Sequence, residues 1–578
     1  MNIPFRLLIA VAISVASCCV TAITHAERVS LTPAPLSVTE GSGSYTLPKG
    51  LTISTAGLTP DMAAEAPRFA EALNSATGLN ATPTASPGAD ITISVDPSIA
   101  TEGYTLSITP SGIAINASQP AGLFYAFQTI LKMLPPNVMA GVLERDLAYT
   151  LPEAQIADSP RFPYRGFMLD VSRHFFDADQ VKKMLDLMAA YKLNRFHWHL
   201  TDDQGWRLPV PKYPELTTVG ATNQNILRTN FDAQRRWRDG RFVEYGPYAY
   251  TTDEIRDIVA YAKERHIEVI PEIDMPGHMV AAIHAYPYLS TDPESSLVPD
   301  SVAMDSEPVA RNPYSHFTHN MWNIGGVSRD VLDVSKPEVM TFVQDVVDVL
   351  ADLFPYEYIH IGGDECPTFA WAKSDSCQKL KKELGLDDDS GLQAWFTKQI
   401  AEYASTKHGR KIMGWNELIT NHEANIPIIK PYDPVIFCWY PPKQAVATSE
   451  ANGLKHVYTP ANGGYYINRS YKGHDKVGAV GDGALDITYT LNPPDNQHCI
   501  GVQGTFWTEQ VDRPQDLEYQ ALPRLIAVAE QGWSQPERKD YNDFMKRLRE
   551  QESVMLDLAG YNYGRHQIVA APADNTAQ

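Results

Sequence analysis

The sequence predicts an α/β protein in which a (β/α)8 barrel follows a small α+β domain. From about residue 160, eight short apolar runs alternate with stretches of helical periodicity, the pattern of a parallel barrel. Before that point, closely spaced strands and two amphipathic helices form a different and shorter pattern. The length of 578 residues accommodates one large barrel and a companion domain. We therefore expect a leader at 1–26, an α+β domain at 29–158 and a barrel domain at 160–565.

The α+β domain is predicted from short elements separated by turn residues. Residues 29–48 form a polar lead-in containing Pro and Ser. Helices are expected where apolar residues repeat on one side, and strands where short runs alternate. The predicted elements are a helix at Asp61–Gly78, strands at Ile91–Val95, Tyr104–Thr109 and Gly112–Ala117, and a helix at Gly122–Leu134. This segment carries no cluster of catalytic residue types, so we interpret it as a supporting domain.

The barrel is predicted from eight apolar runs, each followed by polar or aromatic residues. The eight predicted strands are Phe167–Val171, Arg195–Leu200, His266–Ile270, Tyr358–Ile361, Lys411–Gly414, Val435–Trp439, His456–Thr459 and Ile500–Thr505. Helices between them include one capped at Asp177, one at Thr252–Arg265 and one at Pro337–Leu353. Two long segments, about 204–250 and 279–330, each follow a strand. In a barrel of this kind such segments cover the active face.

Composition narrows the classes of partner. The chain has 48 Lys and Arg against 69 Asp and Glu, a formal net charge of −21. That balance argues against nucleic acid or an anionic membrane as partner, because either needs a basic face. The 10% aromatic content is compatible with a sugar-binding site, which uses rings as surfaces, and equally with core packing.

Residues 1–26 are predicted to be a secretion signal. Arg6 is the only charge, and the run from Leu7 to Ile23 is mostly apolar. As a membrane helix the run is short and diluted by Ser and Thr, so an uncleaved anchor is the weaker interpretation. Thr24-His25-Ala26 suits ordinary cleavage, with mature protein starting near Glu27. Val15-Ala16-Ser17-Cys18 resembles a lipobox that would leave a lipidated Cys18. We favour plain export, to the periplasm or the exterior.

Four cysteines follow the leader: Cys366, Cys377, Cys438 and Cys499. Cys366 and Cys377 close a short loop, and an exported compartment favours oxidation, so we expect these two to form a disulfide. The alternative is four free, buried thiols. Zinc is not expected, because there is no CxxC pair and no His at ligand spacing. The pairing of the other two stays open.

Acids and aromatic rings collect just after the predicted strands, where barrel enzymes place their active sites. Asp, Asn and Gly also serve as turn residues there, but turns alone do not explain why all eight strand ends carry acids or aromatic rings. The eight strand ends are Asp170-Val171-Ser172-Arg173-His174, His197-Trp198-His199-Leu200-Thr201-Asp202-Asp203, Glu272-Ile273-Asp274-Met275-Pro276-Gly277-His278, Gly362-Gly363-Asp364-Glu365, Trp415-Asn416-Glu417, Trp439-Tyr440, Tyr465-Tyr466-Ile467-Asn468 and Trp507-Thr508-Glu509.

Three chemistries can use residues of these types. A metal-dependent hydrolase is suggested by His197 and His199, but later strands supply only His278 as a further His ligand. Two-carboxylate glycoside hydrolysis needs acids on different strands. Asp364 and Glu365 are adjacent and point opposite ways in extended chain, so they share a site only where the strand gives way to a loop. Such an adjacent pair fits a reaction in which the substrate supplies the nucleophile.

The motifs resemble those of glycoside hydrolase family 20, the β-N-acetylhexosaminidases. The likeness covers about residues 160 to 535, and the preceding domain looks like the non-catalytic domain that often precedes this barrel. It rests on five motifs in the expected order: Arg173-His174-Phe175, His197 to Arg207, Pro271 to His278, His360 to Glu365, and Trp507-Thr508-Glu509.

The resemblance implies a role for each matching residue. Glu365 is implied to be the general acid and later the general base, with a pKa kept high by the charge of Asp364. Asp364 is implied to accept the N–H of the substrate's 2-acetamido group, whose oxygen attacks C1. The remaining implied contacts are Arg173 and Glu509 to sugar hydroxyls, Tyr466 to the acetamido oxygen, Trp415, Trp439 and Trp507 as pocket walls, and Asp202 with His278 as a relay behind Glu365. No cofactor and no metal are implied.

One position departs from the family pattern. Many bacterial members carry Tyr-Leu-Asp where this chain has Tyr466-Ile467-Asn468. Asn468 can bond a sugar hydroxyl without supplying charge, and a neutral residue here occurs in members that tolerate anionic sugars. Which substituents the enzyme prefers at C4 and C6 of the sugar therefore stays open.

The expected function is exo-acting, retaining release of terminal GlcNAc or GalNAc from chitin fragments or glycoconjugates. A disaccharide-releasing enzyme of lacto-N-biosidase type needs a longer pocket beyond Arg173 and Glu509. A catalytically silent sugar-binding protein has no need of the acid Glu365. Metal-dependent deacetylation is the remaining alternative, and activity that survives a chelator would dismiss it.

Overall fold

The computed structural model describes residues 29–225, 243–291, 330–461, 464–471 and 483–569. The predicted leader, with Cys18 and the start near Glu27, lies outside these residues and stays a prediction. Residues 226–242 and 292–329, which belong to the two long segments after strands, also lie outside them. Within the described ranges, no helix combines the length and apolar character needed to cross a bilayer.

The N-terminal domain is one seven-stranded sheet in the order β1-β7-β5-β6-β4-β2-β3, with helices packed against it. Its strands are β1 Ser37–Thr46, β2 Thr52–Ser54, β3 Thr82–Thr84, β4 Ile91–Val95, β5 Tyr104–Thr109, β6 Gly112–Ala117 and β7 Thr150–Asp158. Its helices are α1 Pro60–Ala63, α2 Glu65–Thr77, α3 Pro120–Met133 and α4 Pro136–Met139.

Strands β4, β5 and β6 match their predicted bounds, whereas β1 and β7 were not predicted. β1 lies within the stretch interpreted as a polar lead-in, and most of its side chains are exposed. It is held by an antiparallel ladder to β7, with Ser37 opposite Ala157 and Thr46 opposite Thr150. Because pairing with a distant segment stabilises this edge strand, its own sequence carries little periodic signal.

Eight parallel strands close the barrel that the sequence predicts, confirming the fold class. The strands after the first domain are β8 Tyr164–Asp170, β9 Arg195–Asp202, β10 Gly205–Trp206, β11 Asn223–Asn225, β12 Val243–Tyr245, β13 Glu268–Ile273, β14 Tyr358–His360, β15 Lys411–Trp415, β16 Val435–Cys438, β17 His456–Tyr458 and β18 Cys499–Phe506. The barrel order is β8, β9, β13 to β18, and β18 pairs with β8 to complete the circle.

Helices surround the barrel between its strands. They are α5 Ala178–Ala190, α6 Thr252–Lys263, α7 Val280–Ala285, α8 Pro337–Leu353, α9 Asp375–Leu384, α10 Ser390–His408, α11 Glu417–Thr420, α12 Ile426–Ile429, α13 Pro442–Ala451, α14 Leu485–Thr490, α15 Pro514–Ala521, α16 Arg524–Trp533, α17 Tyr541–Arg547 and α18 Ser553–Leu558. The predicted cap at Asp177 accepts a bond from the Gln180 backbone at 2.9 Å. Thr251 and Glu254 form a reciprocal capping box at the start of α6.

A buried carboxylate, Asp158, joins the two domains. It lies at the end of β7, and its Oδ2 accepts from Lys192 Nζ at 2.8 Å and from the Tyr104 hydroxyl at 2.7 Å. Its Oδ1 accepts from the indole of Trp533 at 2.9 Å and from the backbone of Leu36 at 3.1 Å. One side chain thus satisfies donors from both domains.

Replacing Asp158 with Ala is expected to lower the free energy of unfolding by about 3–5 kcal/mol, because it leaves the buried Lys192 ammonium without its counter-charge. Equilibrium urea unfolding measures the change. The matched control is Asp352→Ala, which breaks an exposed pair with Arg256 and should cost less than about 1 kcal/mol. Equal losses in the two variants would contradict this account of the domain contact.

Candidate active site

A left-handed turn at the end of β14 brings Asp364 and Glu365 into one site. Gly362 and Gly363 have φ of 64° and 91°, and Glu365 itself has φ of 46°. A side chain at Gly362 would collide with Asp274, since a Cβ there lies 1.9 Å from its Oδ1. The turn removes the strand alternation that sends neighbouring side chains apart. As a result, His278 Nε2 lies 3.9 Å from Asp364 Oδ2 and 3.5 Å from Glu365 Oε2.

The two carboxyl groups differ in environment. Asp364 is buried, with 10% of its side chain exposed, whereas 41% of the Glu365 side chain is exposed. The accessible group can meet a leaving oxygen, while the buried group is suited to hold a fixed substrate atom. The difference in burial therefore suits Glu365 and Asp364 to two different tasks.

Asp202 and His278 form the relay expected behind Glu365. His278 Nδ1 lies 3.1 Å from Asp202 Oδ1 and 3.3 Å from Asp203 Oδ2, while its Nε2 faces Glu365. Burial disfavours charge on His278, but the two aspartates outweigh burial and hold the pKa of His278 well above its usual value. The imidazole is therefore a cation at neutral pH.

The expectation that Glu365 has a raised pKa is wrong. Burial raises the pKa of Glu365, but the hydrogen bond and charge of His278, with help from Arg173, bring it below the ordinary value. The pKa of Asp364 is raised instead, mainly by burial. Burial and the charge of Asp364 also hold the pKa of Asp274 well above its usual range. Burial thus disfavours ionisation of both Asp274 and Asp364.

These shifts predict the pH dependence of the reaction. A general acid must be protonated, so activity falls as pH rises through the pKa of Glu365. In the free enzyme that pKa is lowered, and a bound sugar would raise it by excluding water. The falling limb of kcat/KM should therefore lie at lower pH than that of kcat, since the two report free and bound enzyme.

His278→Asn removes the cation beside Glu365 and should move the falling limb of kcat/KM to higher pH. Rate measurements on chitobiose across pH 3–9 test both expectations. If the falling limb of kcat/KM lies at the same pH in the variant and the wild-type enzyme, His278 does not set the pKa of Glu365.

Arg173 is held at the end of β8 by three partners. Its Nε donates to Gln204 Oε1 at 2.8 Å, its Nη1 lies 3.3 Å from Asp170 and its Nη2 2.7 Å from Asp202. These bonds use three of the five N–H groups of the guanidinium, so N–H groups remain for sugar hydroxyls. The pKa of Glu509 is raised by burial, and the charge of Arg173 partly opposes the shift. The two residues lie close enough to interact, as their implied roles require.

Aromatic rings enclose the remaining sides of the site. Trp415 and Trp507 have ring centroids 5.8 Å apart, and Arg173 lies over Trp507 at 4.9 Å. Trp439 and Tyr466 stack at 6.0 Å with an angle of 8° between their planes. The rings that the resemblance implies as walls are therefore brought together. The buried Asn468 lies two residues after Tyr466, and its side-chain oxygen has no hydrogen-bond partner among the described residues.

Several residues of the site received no role from the sequence. Asp170 binds Arg173, Asp274 supports the turn beneath Asp364, and Glu417 accepts from the Trp439 indole at 2.9 Å. Burial and the charge of Asp364 raise the pKa of Glu417 to about 8. Each of these acids lies at the end of a barrel strand or within two residues after it, so its position in the sequence places it at the active face. Its partner is visible only in the fold.

Three buried clusters have ligand atoms within 4.8 Å of one another and can be considered as metal sites: His197, Glu272 and His360; Asp202, Asp203 and His278; Asp274, His278 and Asp364. In the first two, imidazole nitrogens face carboxylate oxygens at 2.9 to 3.3 Å. Those distances are short enough for direct contacts between the side chains themselves. His–carboxylate pairing therefore explains the geometry of these two clusters.

The predicted Cys366–Cys377 disulfide is wrong: all four cysteines after the leader are free in the structure. Cys377 lies on α9, where its thiol donates to Asp333 Oδ1 at 3.2 Å. Cys366 follows the left-handed turn, and its backbone packs on Gly277. Burial raises the pKa of the Cys366 thiol, which also makes it a poor nucleophile for exchange. Sequence spacing did not show that the Cys377 thiol bonds to Asp333.

Comparison with known protein families decides the assignment. Residues 162–536 match the model described as "Glycosyl hydrolase family 20, catalytic domain", and residues 28–159 match "Glycosyl hydrolase family 20, domain 2". The chain belongs to glycosyl hydrolase family 20. It is therefore a glycoside hydrolase, and the family resemblance found in the motifs is confirmed.

Relatives and solved structures agree with this membership. A β-hexosaminidase of Porphyromonas gingivalis is 39% identical over 80% of this chain, although the match spans only 54% of that relative. A β-hexosaminidase of Akkermansia muciniphila is 32% identical over 82% of this chain and 87% of its own length. The structure of Streptomyces plicatus N-acetyl-β-hexosaminidase in complex with Thio-NAglucal has a TM-score of 0.74 and 30% identity, covering 92% of this chain and 96% of that one.

A second solved structure, the Vibrio harveyi exo-β-N-acetylglucosaminidase in complex with N-acetylglucosamine, gives a TM-score of 0.75 at 28% identity. It covers 92% of this chain and 78% of that one.

Proposed function

We propose that this family 20 enzyme is an exo-acting β-N-acetylhexosaminidase that releases terminal GlcNAc or GalNAc with retention of configuration. Its substrates are chitin fragments and glycoconjugates that end in a β-linked N-acetylhexosamine. The observation that carries the proposal is the left-handed turn that places buried Asp364 and accessible Glu365 beside the same histidine.

The first step breaks the glycosidic bond. Protonated Glu365 gives its proton to the glycosidic oxygen, the bond from that oxygen to C1 breaks, and the alcohol leaves. The acetamido carbonyl oxygen forms the new bond to C1, which produces an oxazolinium ring. Asp364 accepts the acetamido N–H and balances the positive charge that develops there.

The second step reverses the roles. Glu365, now a carboxylate, takes a proton from water as the water oxygen attacks C1. The bond from C1 to the acetamido oxygen breaks, and the amide is restored. Because C1 is attacked twice, the sugar leaves with its original β configuration, and Glu365 is protonated again for the next cycle.

Digestion of defined glycans tests the proposal. The panel contains chitobiose, chitotriose and oligosaccharides ending in β-GalNAc or in lacto-N-biose, and the released sugars are identified by mass and NMR. Release of the monosaccharide with initial β configuration is the expected result. Release of a disaccharide would instead indicate a lacto-N-biosidase, and binding without release a silent sugar-binding protein. Loss of activity with a chelator would favour metal chemistry.

Export is also part of the proposal, supported by the apolar run and the Thr24-His25-Ala26 sequence. N-terminal sequencing of protein from the periplasm or medium should begin near Glu27. A blocked, lipid-bearing Cys18 would instead make the protein a membrane-anchored lipoprotein.

A further inference from the structure

Glu272 is a buried carboxylate that the proposed mechanism does not use. It lies on β13 and is fully buried inside the barrel. The strand register places it opposite His199 on β9 and His360 on β14. It therefore lies at the level where the strands give way to the active face.

Its two oxygens serve different parts of the site. Oε2 is bonded to His199 Nδ1 at 2.5 Å, and Oε1 accepts from the Trp415 indole at 2.8 Å. Ring nitrogens of His197 and His360 lie 2.9 Å from the same carboxylate. Burial raises the pKa of Glu272, but the surrounding imidazoles hold it well below the usual range. Glu272 is therefore an anion with a donor on each oxygen.

One route from Glu272 leads to the acid. His199 Nε2 lies 2.9 Å from Asp202 Oδ2, and Asp202 Oδ1 lies 3.1 Å from His278, which faces Glu365. Burial disfavours charge on His199, but Glu272 and Asp202 raise its pKa to about 10. The imidazole is a cation between two carboxylates, so Glu272 fixes both its charge and its orientation.

The other route leads to the sugar pocket. Trp415 packs against Trp507 and is almost fully buried, and its indole N–H is bonded to Glu272. A hydrogen bond to a charged acceptor is stronger than a neutral one and fixes the plane of the ring. The family resemblance implies that Trp415 is a wall of the sugar pocket, so the bond fixes a surface against which the sugar and its acetamido group are held.

We propose that Glu272 is a positioning residue that anchors two parts of the reaction at once, the relay behind Glu365 and the Trp415 wall behind the acetamido nucleophile. The inference rests on the proposed function. Its first test is Glu272→Gln, which keeps the shape of the side chain. A Gln has one acceptor oxygen and one NH2 group, so it cannot accept from both His199 and Trp415.

Two substrates separate the routes. Chitobiose needs a proton on its leaving alcohol, whereas an aryl GlcNAc with an acidic phenol does not. Loss of the Trp415 wall should lower kcat for both substrates equally and weaken binding of a thiazoline mimic of the oxazolinium. Loss of the relay should lower kcat for chitobiose more than for the aryl glycoside. Glu272→Gln should show both effects, with kcat roughly tenfold lower for the aryl glycoside and a further loss for chitobiose.

Two further variants each disturb only one route, the Trp415 wall or the relay, and a third serves as a structural control. Trp415→Phe should reproduce the equal loss and the weaker thiazoline binding, and His199→Gln the selective loss on chitobiose. Glu518→Gln removes another buried carboxylate, which on α15 binds Lys183. It should lower the melting temperature without separating the two substrates.

Each kinetic result for these variants either supports or overturns the role of Glu272. The inference is overturned if Glu272→Gln keeps kcat within twofold of the wild-type value for both substrates. It is also overturned if the variant loses kcat by the same factor on chitobiose and on the aryl glycoside. Where Glu272→Gln does not fold, the two single-route variants decide, and identical substrate patterns in both would overturn the inference. A wild-type enzyme inactive on both substrates would overturn the proposed function instead, so the two failures are distinguishable.

Discussion

Glu365→Gln should nearly abolish cleavage of chitobiose and leave the first step on acidic aryl glycosides largely intact. The amide cannot donate a proton to the leaving oxygen, and an alcohol is a poor leaving group without one. General acid catalysis is worth roughly 10²- to 10⁴-fold, so kcat/KM for chitobiose should fall by about that factor. Parallel assays on chitobiose and on a GlcNAc glycoside of an acidic phenol measure the difference.

Single-turnover kinetics give this prediction its control. On the aryl glycoside, the variant should release phenol in a fast burst and then turn over slowly, because the second step lacks its general base. Glu383→Gln, the same change at an exposed carboxylate of α9 that pairs with Lys379, is the matched surface substitution. An equal loss on both substrates in Glu365→Gln would contradict the acid role.

The barrel was predictable because its strands are buried on both faces and its helices are amphipathic. Helix α8 was predicted with the bounds Pro337–Leu353 that the structure has. Strands such as β16 are wholly apolar and bounded by turns. Strands β1 and β7 were missed because the energy that orders them comes from a ladder between segments more than 100 residues apart. A local window contains no record of that pairing.

In the active site, residue identity was predictable and electrostatic state was not. The adjacent pair Asp364 and Glu365 stands out in the sequence because two neighbouring acids are useful to few reactions. The sign of the Glu365 pKa shift depends on His278, which is 87 positions away in the chain and only 3.5 Å away in the fold. The family resemblance places His278 behind Glu365, but the charge of His278 depends on its contacts with Asp202 and Asp203 in the fold.

The same dependence on contacts in the fold explains why no role was predicted for Glu272 and His199. Glu272 and His199 alternate with apolar neighbours on their strands, which indicates that they share the barrel interior, where a packed polar pair is the ordinary expectation. Their connection to Trp415 and to Asp202 depends on the register between strands. That register is a property of the closed barrel and cannot be read from either strand.

The acetamido group of the substrate is predicted to contribute more to the rate than any single side chain of the enzyme. A well-oriented intramolecular nucleophile has an effective molarity of about 10⁵ M or more. An aryl glucoside with a hydroxyl in place of the acetamido group should therefore be almost inert, although its leaving group and Glu365 are unchanged. Comparing kcat/KM for the matched glucoside and GlcNAc glycoside measures the contribution directly.

Asp364→Asn tests the same nucleophile from the side of the enzyme. The amide removes the charge that balances the oxazolinium, and its NH2 group can face the acetamido N–H, so both steps slow. The variant should therefore lose turnover on aryl and natural substrates alike, in contrast to Glu365→Gln. It should also bind a thiazoline mimic less tightly, whereas the wild-type enzyme binds that mimic far more tightly than GlcNAc. Trapping a glycosyl ester on an Asp or Glu of the wild-type enzyme would overturn the scheme, because an enzyme carboxylate, not the acetamide, would then be attacking C1.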